Sequence, residues 1–162
     1  MKSHEHTYEL SLRWEGNLGE GTATYRGYGR SYRVTLAGKP DFFGSADPAF
    51  LGDPTMYNPE DLLLLALASC HMLSYLALCA KHRILVVEYA DQARGKMTTE
   101  GTGGRFQEVT LRPQVTVAPG TDLDKARALH TEANRGCFIA QSVNFPVHHA
   151  PTLTVGEGNR LG

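Results

Sequence analysis

The sequence predicts an α+β fold, and three observations predict it. Segments of period-two alternation gather toward the two ends of the chain, one long apolar run from Leu62 to Ala80 separates them, and a second, shorter helical pattern follows the later strands. The strands cluster in hairpins instead of alternating singly with helices, which argues against repeated βαβ units. At 162 residues with 41% apolar and 20% charged side chains, the chain can bury one respectable core. The reading is a single domain over 1–162, with an N-terminal sheet at about 5–37, a loop at 38–57, a central helix at about 59–81, and a second sheet and helix at about 84–156.

The elements follow in order. "TYELSLRW", Thr7 to Trp14, alternates apolar and polar residues, and "GTATYRG" and "SYRVTLAG" continue the pattern between Gly-rich turns, as an antiparallel meander does. Gly38 to Tyr57 carries Gly, Pro and Asp among scattered aromatics and reads as a long loop of the kind that carries function. Asn58 then caps a helix, Pro59 takes its first position, and Glu60 and Asp61 face the positive end of its dipole. The helix runs to Lys81 and is apolar on nearly every side. A membrane span has this length, but a lone span holding a histidine among amphipathic strands is the weaker reading, so a buried central helix is expected.

"ILVVEYADQARGKMTTE" and "RFQEVTLRPQVTVAPG" read as two strands around a turn at Gly101 to Gly104. "TDLDKARALHTEANRGC" reads as a helix capped by Thr121 or Asp122, with Leu123, Ala126, Leu129 and Ala133 on one face and Gly136 as terminator, leaving Cys137 just past its end. "PTLTV" closes the chain as a last strand.

A formal charge of -1 with acids and bases interspersed provides no basic field for nucleic acid or anionic lipid, so small molecules and protein are the expected partners. The start, "MKSHEHTYELSLRWEG", has neither the apolar core of a secretory signal nor the pattern of a transit peptide, which points to the cytoplasm. Three cysteines without metal-ligand spacing indicate neither a disulfide framework nor a structural zinc site.

The thiols are therefore either core filler or chemistry. Cys79 lies nine residues after Cys70. On a helix that places the two thiols on opposite sides, about 13 Å apart along the axis, beyond the roughly 7 Å that a disulfide spans between Cα atoms. Cys79, between Leu78 and Ala80, reads as packing. Cys137 is distant in sequence, and two sheets packed on the helix would permit it to meet Cys70. His71 projects about 100° away from Cys70 around the helix, so the neighbours do not make a nucleophile–base pair. Cys70 also sits beyond the first turn, where the helix dipole favours a thiolate, so a positive side chain is needed instead. Candidates are Arg26, Arg30 and Arg33 of "YRGYGRSYR", with Arg26 and Arg30 on one strand face and Arg33 on the other; the same arginines also read as ordinary solvated charges.

"NPEDLLLLALASCHMLSYL" resembles the Asn-Pro-Glu-x-Leu motif and following Ala-x-x-x-Cys helix of the OsmC/Ohr family of osmotically inducible and organic-hydroperoxide-resistance proteins. "GTATYRGYGRSYRV", "GSADPAFLGD", "VTLRPQVTV" and "LHTEANRGCFIAQSVNFPV" extend the resemblance over most of the chain. The resemblance implies an OsmC-like fold with sheets around a long central helix, in an intertwined homodimer, and a peroxidase acting on organic hydroperoxides without metal or haem. It implies Cys70 as the peroxidatic cysteine, Cys137 as the resolving cysteine, Glu60 as the carboxylate orienting an arginine, and Arg30, then Arg26, as that arginine. The second cysteine stands in "CFIAQS", a departure from the commoner Cys-Pro-x-Ser surroundings. The implied reductant is a dithiol, a lipoyl-bearing protein or small thiol. Phe42, Phe43, Phe50, Tyr57 and Phe138 would supply an apolar lining for alkyl peroxides. Two rival readings are a non-catalytic dimer that binds a small apolar ligand or senses oxidants, and a Cys-dependent acyl-transfer enzyme using a histidine of "VHHAP" as base.

Overall fold

In the computed structural model, which describes residues 3–157, the first alternating segment shortens to β1 (Ser11–Trp14). Residues 1–2 and 158–162 of the expected domain lie outside the described residues. β1 pairs antiparallel with β2 (Tyr32–Thr35), and β2 with β3 (Phe42–Gly44), giving the sheet order β1-β2-β3. This sheet belongs to the first of two compact units, Met1–Leu62 and Leu63–Gly162.

The expected strand "GTATYRG" is corrected: residues 19–28 are turns and bends. The Asn17 side chain accepts from the amides of Gly19 and Gly21 at 2.9 and 3.0 Å, and Gly27 N–H donates to Thr24 O at 3.0 Å. These local bonds satisfy the backbone without a ladder. The loop is pinned at its base, where Gly29 N–H donates to Gly16 O at 2.8 Å. A Cβ on Gly16 would stand 1.8 Å from Gly29 O, so only glycine fits this approach. The third strand of the sheet lies instead inside the expected 38–57 loop, as β3. The remainder of that loop holds a short 3-10 turn, Pro48–Phe50, whose Ala49 N–H donates to Asp47 Oδ1 at 2.7 Å.

Helix α1 spans Pro59–Lys81, the expected bounds. Asp61 N–H donates to Asn58 Oδ1 at 2.8 Å and Asn58 N–H returns a bond to Asp61 Oδ2 at 3.2 Å, a reciprocal cap that satisfies two end groups. Its C-terminus closes with Arg83 in the left-handed region and Ile84 N–H donating to Cys79 O at 2.9 Å. Length and composition alone would let α1 cross a membrane. The chain instead buries one stripe of it, Leu67, His71, Tyr75 and Cys79, spaced four residues apart. Leu65 and Leu73, on the other side, are 57% and 62% exposed, so within the protomer the helix is covered on one face and not all round.

In the second unit the two long alternating segments divide into four strands: β4 (Val86–Asp91), β5 (Arg94–Glu100), β6 (Gly103–Leu111) and β7 (Pro113–Val117). The breaks face each other. Asp91 Oδ1 accepts from Arg112 N–H at 2.8 Å, and Pro113 has no N–H to continue a ladder, so the ribbon turns a corner and its strands change sheets. α2 (Leu123–Gly136) follows, capped by Asp122, which accepts from Lys125 N–H at 3.0 Å. Two strands come after it, β8 (Val147–His149), which the sequence reading lacked, and β9 (Thr152–Val155). The sheets run β4-β7-β9 and β5-β6-β8. β6–β8 and β7–β9 are parallel, so the hairpin-only reading is corrected: α2 carries the chain back across, which a parallel neighbour requires.

The core of this unit has two parts. Tyr75, Cys79, Ile84, Val115, Val117, Ala126, Leu129 and Ala133 join the C-terminal half of α1 to α2 and the β4-β7-β9 sheet. Leu67, Val109 and Leu111, with Ile139, Phe145 and Val147 against them, form the other part around the N-terminal half of α1.

Candidate active site

Cys70 and Cys137 lie where the two parts of the core meet along the chain. Cys70 falls on α1 between Leu67 of one part and Tyr75 of the other; Cys137 falls between Ala133 and Ile139. α2 ends at Gly136, and Cys137 leaves the helix in an extended conformation. The Cys70 side chain lies close enough to Cys137 to perturb its thiol. Burial first, and then the neighbouring Cys70, push the Cys137 thiol up to about 11, while Ala140 N–H, 3.5 Å from its sulfur, works in the opposite direction. Cys137 is thus a buried, protonated thiol, and Cys70 is the partly exposed member of the pair. All three cysteines are free thiols. Cys79 is on the buried stripe, where burial pushes its thiol up.

Beside the thiols the structure assembles a cluster that the sequence reading missed. His71 Nε2 and His130 Nδ1 are 3.0 Å apart, and both side chains are fully buried. The His130 ring stacks on Tyr75 with centroids 3.7 Å apart, and Tyr75 O–H donates to Ala126 O at 3.1 Å. His149 of β8 stacks more loosely on His71, at 5.9 Å. Burial above all, then the neighbouring His149, lowers His71 to about 4; burial, then His71, His149 and Arg127, lowers His130 to about 3. Both rings are therefore neutral near pH 7. The signal was available: His130 continues the face of Ala126, Leu129 and Ala133, and His71 continues that of Leu67, Tyr75 and Cys79. His148, the other histidine of "VHHAP", is on the surface, 3.8 Å from Glu108. Among the described residues no histidine hydrogen-bonds to Cys70, the contact that an acyl-transfer base requires.

Arg30, Arg26 and Glu60 belong to the first unit. Arg26 is exposed in the loop and not in a strand, so the expected division of strand faces among the arginines does not hold. Arg30 donates to the carbonyls of Tyr28 and Tyr25, and its guanidinium lies over both rings at 4.0 and 4.7 Å. Arg33 pairs with Glu15 at 2.9 Å. Among the described residues no ion pair joins Glu60 to Arg26 or Arg30; Glu60 instead contributes, after burial, to raising Tyr32. Of the five aromatic residues expected to line a pocket, Phe42 is half-buried and stacks on Tyr57 at 6.0 Å, and the other four are exposed. Phe138, next to Cys137, is 80% exposed.

The family model for OsmC-like protein matches residues 52–151, a stretch that includes Glu60, Cys70 and Cys137. An OsmC-like protein of unknown function from Vibrio cholerae superposes with a TM-score of 0.81 at 29% identity, over 91% of this chain and 100% of its own. At 17% identity, an organic hydroperoxide resistance protein from Elizabethkingia anophelis superposes with a TM-score of 0.65 over 94% of this chain and 100% of its own. OhrB of Bacillus subtilis, also an organic hydroperoxide resistance protein, does so at 0.58 with 18% identity, over 92% and 98%. The last two likenesses show a common fold. No curated protein matches the chain.

Proposed function

Because the chain belongs to the OsmC-like family and folds so that Cys70 meets Cys137, we propose that it is a thiol-dependent peroxidase that reduces organic hydroperoxides to alcohols. The thiol pair carries this reading. Its members divide the work by exposure: Cys70 is reachable, and Cys137 is held protonated beneath it.

The Cys70 sulfur attacks the distal oxygen of ROOH. The O–O bond breaks, two electrons pass from sulfur to the peroxide, and RO⁻ takes a proton to leave as ROH, with Cys70 as sulfenic acid. Cys137 then supplies its thiol; an S–S bond forms, and the sulfenic oxygen departs as water. A cellular dithiol reopens the bond by two exchanges and is itself oxidised to a disulfide. The reductant is a lipoyl-bearing protein or a small dithiol, and the setting is the cytoplasm, where dithiols are kept reduced. Arg30, with Arg26 as second choice, polarises the peroxide, and Glu60 orients that guanidinium. For Arg30 this service requires release from the carbonyls and rings of Tyr25 and Tyr28. The alkyl group of the substrate rests on apolar side chains such as exposed Phe138.

The test is consumption of cumene hydroperoxide by catalytic amounts of protein with dihydrolipoamide in excess. Many turnovers per chain are expected, with loss of turnover in Cys70→Ser. Stoichiometric oxidation that stops after one equivalent would instead favour an oxidant sensor and sink the enzyme reading.

A further inference from the structure

The His71–His130 contact has no part in the thiol chemistry, yet it occupies the two elements that carry the thiols. His71 follows Cys70 directly on α1, and His130 stands on α2 seven residues, close to two turns, before Cys137. The two rings meet at 3.0 Å inside a fully buried core, and His130 is clamped from the other side by Tyr75, itself bonded to α2 through Ala126 O. We propose that His71 and His130 are positioning residues whose ring-to-ring hydrogen bond holds α1 and α2 at the spacing that presents Cys137 to Cys70.

The chemistry favours such a role over plain packing. A neutral imidazole carries one N–H and one acceptor nitrogen, so a bond between two rings couples their tautomers, one ring donating while the other accepts, and sets the distance between the helices. A buried donor that loses its acceptor is costly, so the core resists separation of this pair. Apolar packing would tolerate a slide of one helix past the other; an N–H···N bond does not. The groups facing the pair are Tyr75 on α1, Arg127 on α2 and His149 on β8. None is a carboxylate, so the pair has no anion beside it that would hold a proton on either ring at neutral pH.

This inference rests on the Cys70–Cys137 redox reading, and the experiment separates the two. The full-length protein is equilibrated in glutathione redox buffers without peroxide, and the Cys70–Cys137 disulfide is counted by thiol alkylation and mass spectrometry. A rigid pair of thiols has a high effective concentration, so loosening it makes the disulfide easier to reduce. His130→Phe keeps a ring against Tyr75 and removes the hydrogen-bonding nitrogen. It is expected to lower the equilibrium constant for the disulfide at least tenfold, about 30 mV. His130→Asn gives up the ring stack but places an amide, able to accept or donate, near the Nδ1 position, and is expected to restore most of that loss. His71→Gln against His71→Leu repeats the comparison from α1, should a variant on α2 fail to fold. Packing alone predicts the reverse order, with Phe better than Asn, and that order would overturn the proposal. Absence of the disulfide from wild-type protein in every buffer would overturn both this proposal and the peroxidase reading. The expected shifts in a wild type that fails to turn over peroxide would overturn the peroxidase reading alone.

Discussion

Single residues divide the three thiols by what touches them. Cys137 has Cys70 and the Ala140 amide as neighbours, whereas Cys79 has Tyr75 and the apolar side chains around it. Burial disfavours the thiolate of Cys79, and its place on the inner stripe of α1 keeps it from any oxidant, so it is packing and not chemistry. Cys79→Ala is accordingly expected to leave peroxide turnover unchanged and to cost about 1–2 kcal/mol in chemical denaturation, the scale of a small cavity in a core. A severalfold loss of turnover at unchanged fold would contradict this division. The opposed placement of Cys70 and Cys79 was legible in the sequence because nine residues of helix fix it. The company that Cys137 keeps was not, because it depends on how α2 packs.

Elements were legible wherever the local signal was strong and self-contained. Asn58, Pro59 and the apolar run fixed both ends of α1, and Asp122 with the apolar spacing fixed α2. What escaped was long-range. The corner at Asp91 and Arg112 breaks strands whose alternation continues through it, and β8 takes its place only because β6 offers an edge. "GTATYRG" alternates like a strand but is claimed by Asn17 and its glycines. The histidine pair escaped for the same reason, since His71 and His130 meet only once α1 and α2 are side by side. Their pairing has a measurable consequence for stability. His71 falls from an ordinary 6.5 to about 4 on folding, chiefly through burial, so the unfolded chain binds the proton more readily. Stability is then fully present above pH 6.5 and is lost as pH falls toward 4, by about 3 kcal/mol from His71 alone. His130, lowered to about 3, adds to the loss, while Asp91, raised by burial, works in the opposite direction. Urea midpoints taken from pH 7.5 down to pH 4.5 are expected to fall steadily without change in slope; constant midpoints would show that the rings are not buried neutral.

The whole molecule raises the question of where one active site ends. Glu60 and Cys70 stand on one helix ten residues apart. That is about 15 Å along the axis and roughly 80° around it, too far for one guanidinium to serve both. The protein also leaves Leu65 and Leu73 of α1, Phe138, Leu12 of β1, and Tyr8 and Leu10 just before it exposed, open apolar surface that marks a candidate interaction face. We propose a homodimer with antiparallel central helices, which would cover the outer face of α1 and bring Glu60 of one protomer toward Cys70 of its partner. Cys70→Ser and Glu60→Gln proteins are each expected to be nearly inactive. Unfolded together in equal amounts and refolded, they form mixed dimers in which one of the two sites regains both its cysteine and its carboxylate, so roughly a quarter of wild-type activity returns. A site contained within one protomer recovers nothing, because every chain in the mixture still lacks one member. Size-exclusion chromatography with differently tagged chains establishes that mixed dimers are present, and their presence without activity would refute the shared site while leaving the thiol chemistry of Cys70 intact.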